Sequence, residues 1–349
     1  MKIVCWFLVS WIWFGFFGCA GKSENNDSDA GCQAGNFYTP PLGEEDLSFH
    51  VGPYLGHTTQ TTVAVGWETI ESGDTRLEYG PDSNYGQTIQ GETGTMHQVV
   101  VKDLVSGTSY HYKACSGDVC THDLTFATEP GSNRPIRFVV YGDCQDGPEA
   151  HRQMIEQILL DQPALAIVVG DTVSDGQYRE QFKERYFDPA RPLTHFVHRY
   201  AAIGNHDRKD VEAVHFIDYA MHPEDPDVPQ AETSYSFVYG DAFFLVFDNT
   251  LDHYDFFFPL GGVDQPLWRW IQDQVASEAA QNARWRFAFA HYPADTNCHA
   301  DDDIYTMPES AVREYILPLL WEHGFQGYFA GHVHCYERFD FDGHLVITT

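Results

Sequence analysis

Gly327-Tyr328-Phe329-Ala330-Gly331-His332-Val333-His334 is a short run of buried-strand character that leads straight into a glycine and two histidines. A run of this kind, closed by glycine, reads as a strand of a sheet covered on both faces. In such sheets the residues that meet a ligand lie just past the carboxyl ends of the strands. The arrangement recurs upstream. Phe287–Ala290 leads into His291-Tyr292-Pro293, and Tyr200–Ile203 into Gly204-Asn205-His206-Asp207. Ala164–Val169 leads into Gly170-Asp171-Thr172, and Ile136–Tyr141 into Gly142-Asp143-Cys144-Gln145. Each has an ordinary explanation alone, because an Asp at a strand end often caps a helix and a lone His is often a hydrogen-bonded structural residue. Five in the same strand-end context do not share that explanation. Between the strands, Met154, Ile155, Ile158 and Leu159 fall at helical spacing, and 265–280 and 310–323 read as further helices. Strands alternating with helices predict a layered α/β domain over 135–349.

The chain before it is organised differently. From 49 to 130 short alternating segments such as Thr61–Trp67, Arg76–Tyr79 and Gln98–Val101 are separated by Gly, Asp and Ser turns, as expected of a β-sandwich. Asp103–Tyr112 resembles the strand-connecting corner of fibronectin type III domains, with Tyr110 as the corner tyrosine and Trp67 in the core. Further upstream, Lys2 precedes an apolar run from Ile3 to Phe17 that is shorter than the roughly 20 residues of a membrane span. It reads as a signal peptide over 1–19. Its ending, Phe16-Phe17-Gly18-Cys19, resembles a bacterial lipoprotein signal, in which Cys19 carries lipid; an ordinary cleaved signal or an uncleaved anchor is the other reading. Residues 20–48 then form a flexible tether, and the expected location is an exported, membrane-anchored lipoprotein, periplasmic or at the cell surface.

A net charge of −31 repels a phosphate backbone, which sets nucleic acid aside as a partner. The 43% hydrophobic content excludes wholesale disorder. Cys115 and Cys120 flank a turn, so an oxidising compartment favours a disulfide there and a reducing one two thiols. For Cys32, Cys144, Cys298 and Cys335 no pairing is fixed.

The order of these motifs resembles the calcineurin-like metallophosphoesterases, and Gly331–Arg338 together with the preceding sandwich resembles their purple acid phosphatase branch. The resemblance implies that Asp143, Asp171 and His334 hold one metal, and that Asp171, Asn205, His291 and His332 hold a second, with Asp171 bridging. Mixed imidazole and carboxylate ligands suit Fe, Zn or Mn. Such a pair can activate a bridging hydroxide for in-line attack on phosphorus while clamping the leaving oxygen. Gln145 either ligates through its amide oxygen or hydrogen-bonds a ligand. His206 would serve the leaving group, Asp207 would orient His206, and His299 would be a second such histidine. Ser174 stands where purple acid phosphatases carry a Tyr ligand, so no purple tyrosinate–iron band is expected. Cys144 and Cys335 are expected to turn away into packing.

The activity expected is a phosphomonoesterase acting on a small phosphorylated substrate, with a phosphodiesterase or nucleotide hydrolase as the nearest alternative. A non-catalytic phosphate-binding surface lipoprotein is the alternative of a different class. Thr250–Val263 reads as an aromatic loop that either covers the site or packs on the sandwich. The chain stops inside an apparent strand, where family members continue, which suggests a truncated sequence.

Overall fold

In a computed structural model, the chain is described over residues 43–209, 212–228, 230, 232–250, 266–298 and 311–349. The signal peptide, Cys19, Cys32, His299 and most of the aromatic loop lie outside these residues.

The first sheet has six strands: β1 (Val51–Thr58), β2 (Val63–Gly80), β3 (Gln87–Val101), β4 (Ser109–Ser116), β5 (Val119–Cys120) and β6 (Leu124–Ala127). The two segments expected at Thr61–Trp67 and Arg76–Tyr79 are one strand. The polar stretch between them keeps pairing with β3 through register shifts on either side of Gly73. The first part of β2 pairs with β1 and its last part with β4, so one long strand serves both halves of the sandwich. Trp67, Leu77, Tyr112 and Phe126 fill the middle and are fully buried. The Tyr110 hydroxyl accepts from the Val105 N–H at 3.0 Å, the corner bond that the sequence suggests. Cys115 and Cys120 form a disulfide across adjoining strands.

Two sheets build the rest. The smaller is parallel, β7 (Phe138–Tyr141), β8 (Leu165–Val169) and β9 (His198–Ala202). The larger runs β10 (Tyr235–Tyr239), β11 (Ala242–Val246), β12 (Trp285–Phe289), β13 (Gly327–Ala330), β15 (His344–Thr348) and β14 (Glu337–Phe341). Its middle four strands are parallel and its two edge strands antiparallel. Side chains in a strand alternate between faces, and here the alternation sorts them into separate cores. Val140, Ile167, Val169, Tyr200 and Ala202 meet Phe244, Phe287, Phe289, Phe329 and Ile347 in a core between the two sheets. Phe243, Leu245, Ala288, Tyr328 and Val346 face the other way, onto the helices Pro266–Ala276 and Leu317–Glu322. Val139, Tyr141, Ala166, Val168 and Ala201 belong to a third core that includes Tyr54, Val65, Trp67 and Tyr112 of the sandwich.

The end of the expected tether is a correction to the sequence reading. Asp46 is buried, its N–H donates to His195 Nε2 at 3.0 Å, and its carboxylate accepts from the His122 N–H at 2.7 Å. Arg191, also buried, donates to the carbonyls of Asp46 and Gly52. These partners lie more than 70 residues away in sequence, and a polar, turn-rich composition gives no sign of them.

Candidate metal centre

Parallel strands deliver their carboxyl ends to one edge. Asp143 follows β7, Asp171 follows β8, Asn205 and His206 follow β9, His291 follows β12, and His332 and His334 follow β13. Four of these turn with a left-handed backbone: φ is 51° at Asp143, 52° at Asp171, 76° at His332 and 52° at His334. That region is unfavourable for residues with a Cβ, by roughly 1–3 kcal/mol each, and such strain gathers at functional sites. The motif glycines have a matching reason. A Cβ on Gly204 would collide with the Asp171 carboxylate, and one on Gly331 with that of Asp143.

The candidate ligands form two overlapping groups, Asp171 with His291 and His332, and Asp143 with Asp171 and His334. Within each, the ligand atoms lie within 4.8 Å of one another. Asp171 belongs to both. His291 Nε2 lies 3.4 Å from Asp171 Oδ1 and 3.0 Å from Asn205 Oδ1. His334 Nε2 lies 3.6 Å from Asp143 Oδ1. His291 is oriented by its Nδ1, which donates to the Val169 carbonyl at 2.8 Å.

Charge in this pocket is expensive. Burial pushes the Asp143 carboxyl well above the usual range. Burial, with the neighbouring His291, holds His332 down to about 3. His291 goes the other way: burial opposes its charge, but Asp171 and Asp143 raise it to about 9. Without metal, a proton on His291 thus supplies positive charge that the carboxylates demand. A metal pair fits the same demand. His332 Nδ1 and His291 Nε2 face each other at 3.3 Å, and the buried Gln145 Oε1 has no hydrogen-bond partner. The donors are imidazole nitrogens and oxygens, the set that suits Fe, Zn or Mn.

The neighbouring residues are placed less uniformly. Gln145 Nε2 is 3.1 Å from His334 Nε2 and 3.5 Å from Asp171 Oδ2, so this side chain lies against both candidate ligands. His206 Nδ1 donates to the Ser174 carbonyl at 2.7 Å, and its Nε2 lies 4.0 Å from Asp171 Oδ2. The Ser174 hydroxyl turns away, donating to Asp146 at 2.6 Å. Asp207 does not orient His206. Its Oδ1 accepts from the Thr172 N–H and hydroxyl and its Oδ2 from the Gly204 N–H, so it ties the β8 and β9 loops together. Cys335 is not simply packed away either, since it forms a disulfide with Cys298. The bond joins the loop after His291 to the loop carrying His332 and His334, and Glu337 reinforces it by accepting from Thr296 and Asn297.

Asn249 escapes sequence reasoning. Fully buried beyond β11, its Oδ1 accepts from the N–H groups of His291 and Tyr292, and its Nδ2 donates to the Tyr292 carbonyl. A lone Asn after a strand carries no signal; only the position past a parallel strand hints at it. Asn249→Ala is expected to lower turnover about 10–100-fold, as losses of residues that orient metal ligands do. Its melting temperature should also fall, reflecting roughly 1–3 kcal/mol for the orphaned amides. Steady-state kinetics and thermal melting test both.

The calcineurin-like phosphoesterase model matches residues 136–336, more than half of the chain and all of the cluster just described. The chain belongs to that family. It is therefore a phosphoric ester hydrolase. Among curated proteins this phosphoesterase is similar to a probable purple acid phosphatase 20 of Arabidopsis thaliana, 24% identical over 87% of this chain and 72% of the relative. It is also similar to a phosphoenolpyruvate phosphatase of Allium cepa, 24% identical over 82% of this chain and 63% of the relative. The chain thus spans about two thirds of the length of these relatives. Among solved structures, a purple acid phosphatase from yellow lupin seeds superposes with a TM-score of 0.68 at 17% identity, over 88% of this chain and 65% of that one. PhoD superposes with a TM-score of 0.63 at 13% identity, over 90% and 77%. These likenesses span the sandwich as well as the phosphoesterase layers.

Proposed function

We propose that this phosphoesterase is a metal-dependent phosphomonoesterase in which Asp143, Asp171 and His334, with Gln145 beside them, hold one ion and Asp171, Asn205, His291 and His332 hold the other. The observation that carries this reading is the overlap of two ligand groups on the single buried carboxylate of Asp171. Ions bound there supply Lewis acidity toward the phosphoryl group and toward the attacking water.

The remaining steps belong to the chain. The Asp143 carboxylate accepts from the His332 N–H at 3.0 and 2.8 Å, which fixes the loop after β13 against the loop after β7. His206 is about one-third exposed, and its Nδ1–H is committed to Ser174. Its Nε2 is therefore the atom that can carry a second proton, and in the imidazolium form it hands that proton to the departing alkoxide. His206→Ala is expected to lower kcat by about 10²–10⁴-fold, as losses of general acids do. The loss should be larger for an alkyl phosphate than for nitrophenyl phosphate, whose leaving group needs no proton. Equal losses on both would remove the general-acid role.

The relatives named acid and phosphoenolpyruvate phosphatases support a monoester substrate. Rates on nitrophenyl phosphate and bis(nitrophenyl) phosphate test it, since a faster diester would reverse the assignment. For location, the apolar run at Ile3–Phe17 followed by Gly18-Cys19 supports an exported protein with a lipid on Cys19. Metabolic labelling with a fatty acid, lost in Cys19→Ser, tests that.

A further inference from the structure

Gln145 is 1% exposed, and its side chain reaches the metal centre, with Nε2 3.1 Å from His334 Nε2 and 3.5 Å from Asp171 Oδ2. Its Oε1 is buried and has no hydrogen-bond partner, which leaves that oxygen for an ion. A long amide side chain keeps such a place only if its backbone is fixed, because each rotatable bond adds conformers. Regular structure gives little help here. Gln145 lies in the turn between β7 and the helix Pro148–Leu160, outside any strand or helix.

Support comes from a side chain 40 residues on, Arg185, whose Nη1 donates to the Gln145 carbonyl at 2.6 Å and lies 3.7 Å from Asp146 Oδ1. The Ser174 hydroxyl, which donates to Asp146, is 3.2 Å from the same carbonyl. A hydrogen bond from a guanidinium is roughly twice as strong as one between neutral groups, so Arg185 is the stronger of the two anchors. Arg185 is itself held in place. It belongs to Phe182–Phe187, which winds as a π-helix, a form frequent at functional sites. Its carbonyl accepts from Nδ1 of the buried His151 at 3.1 Å. We propose that Arg185 is a positioning residue for the metal centre. It clamps the Gln145 backbone, and so keeps the Gln145 side chain against Asp171 and His334, where its Oε1 serves the ion that these two hold with Asp143. This rests on the two-ion reading given above, and in it Arg185 acts through Gln145 and not on the substrate.

Extraction of zinc from the zinc-loaded full chain by the coloured chelator pyridylazoresorcinol tests the proposal. Losing a residue that orients metal ligands costs about 10–100-fold in metal affinity, so Arg185→Met and Gln145→Ala should each release zinc at about tenfold lower chelator concentration. Arg185→Lys keeps the charge and a donor, and should recover most of that loss. The double variant should be no weaker than Gln145→Ala alone, because both changes break one chain of contacts. Melting of the metal-free variants shows that each is folded. Zinc held equally by Arg185→Met and wild type would overturn the proposal, as would a loss that adds in full to that of Gln145→Ala. Turnover of nitrophenyl phosphate by the wild type is read alongside. Zinc bound without turnover would sink the phosphomonoesterase reading and leave the chelator series to decide Arg185. Normal turnover with undiminished zinc retention in Arg185→Met would sink Arg185 alone.

Discussion

Asp171→Asn is expected to lower kcat/KM for a phosphomonoester by at least about a thousandfold, roughly 4 kcal/mol of transition-state stabilisation. Asp171 is the side chain common to both ligand groups, so the change removes a charge that each ion needs. Asn keeps the shape, and its Oδ1 can still accept from the His206 N–H as Asp171 does at 2.9 Å. The fold should therefore survive. In the metal-free protein the change relieves the repulsion that Asp143 and Asp207 feel from Asp171, but it also removes the attraction that keeps His291 protonated and holds the Asp171 carboxyl down at about 2, so the metal-free fold should lose some stability. The expected pattern is lost turnover, fewer metal ions per chain by elemental analysis, and a metal-free protein that still unfolds in a cooperative transition. A variant with two metals and normal turnover would sink the assignment of the bridging residue.

The second large effect is on stability at low pH. Burial holds four imidazoles far below their ordinary value: His57, His151 and His195 at about 4, and His222 at about 3. Hydrogen bonding agrees that two of them are neutral. Nδ1 of His195 donates to the Pro53 carbonyl and its Nε2 accepts from the Asp46 N–H. Nδ1 of His222 donates to the Glu232 carbonyl and its Nε2 accepts from the Ala201 N–H. Above the ordinary histidine pKa of about 6.5 neither the folded nor the unfolded chain protonates these rings, and stability is unaffected. As pH falls from there towards 4 the unfolded chain takes up protons that the folded one refuses, so stability drops. A tenfold difference in proton affinity between the folded and unfolded chain is worth about 1.4 kcal/mol. Even half of the depression at all four rings approaches the whole stability of an ordinary domain, about 5–15 kcal/mol. Glu232 works against this trend, since burial raises its carboxyl to about 7 and its ionisation is relieved as pH falls. Burial raises the carboxyls of Glu129, Asp143 and Asp207 in the same sense, while His97, His198, His332 and His334 are depressed alongside the four, so the imidazoles remain in the majority. The melting temperature is expected to fall by tens of degrees between about pH 7 and about pH 4.5, and less steeply in His222→Asn. A melting temperature flat across that range would refute the argument.

The phosphoesterase layers are legible because parallel strands announce themselves twice, as apolar runs and as polar residues at one end of each. Asp143, Asp171, Asn205, His291, His332 and His334 follow from that rule, and the structure brings them to one pocket. What escapes depends on contacts between distant segments. Asn249 grips the His291 loop from 42 residues away, and no local pattern marks an Asn for that task. Asp207 sits beside His206 in sequence, which suggests a partnership, but its carboxylate points back to Thr172. The Cys298–Cys335 pairing spans 37 residues and cannot be chosen among four candidates by spacing alone. The polar Thr69–Asp74 stretch reads as a turn, yet ladder pairing with β3 outweighs its poor strand propensity.

The core that runs without a break from Trp67 and Tyr112 of the sandwich to Val139, Val168 and Ala201 of the small parallel sheet has a consequence for how the chain holds together. Beads on a string can be lost or exchanged one at a time, because each closes over its own interior. Here the face of β7, β8 and β9 turned away from the large sheet has the sandwich as part of its covering, so a chain cut between Ala127 and Phe138 would leave apolar surface bare on both pieces. The sandwich is in that sense a third layer of the phosphoesterase unit, and the two should rise and fall in a single cooperative transition.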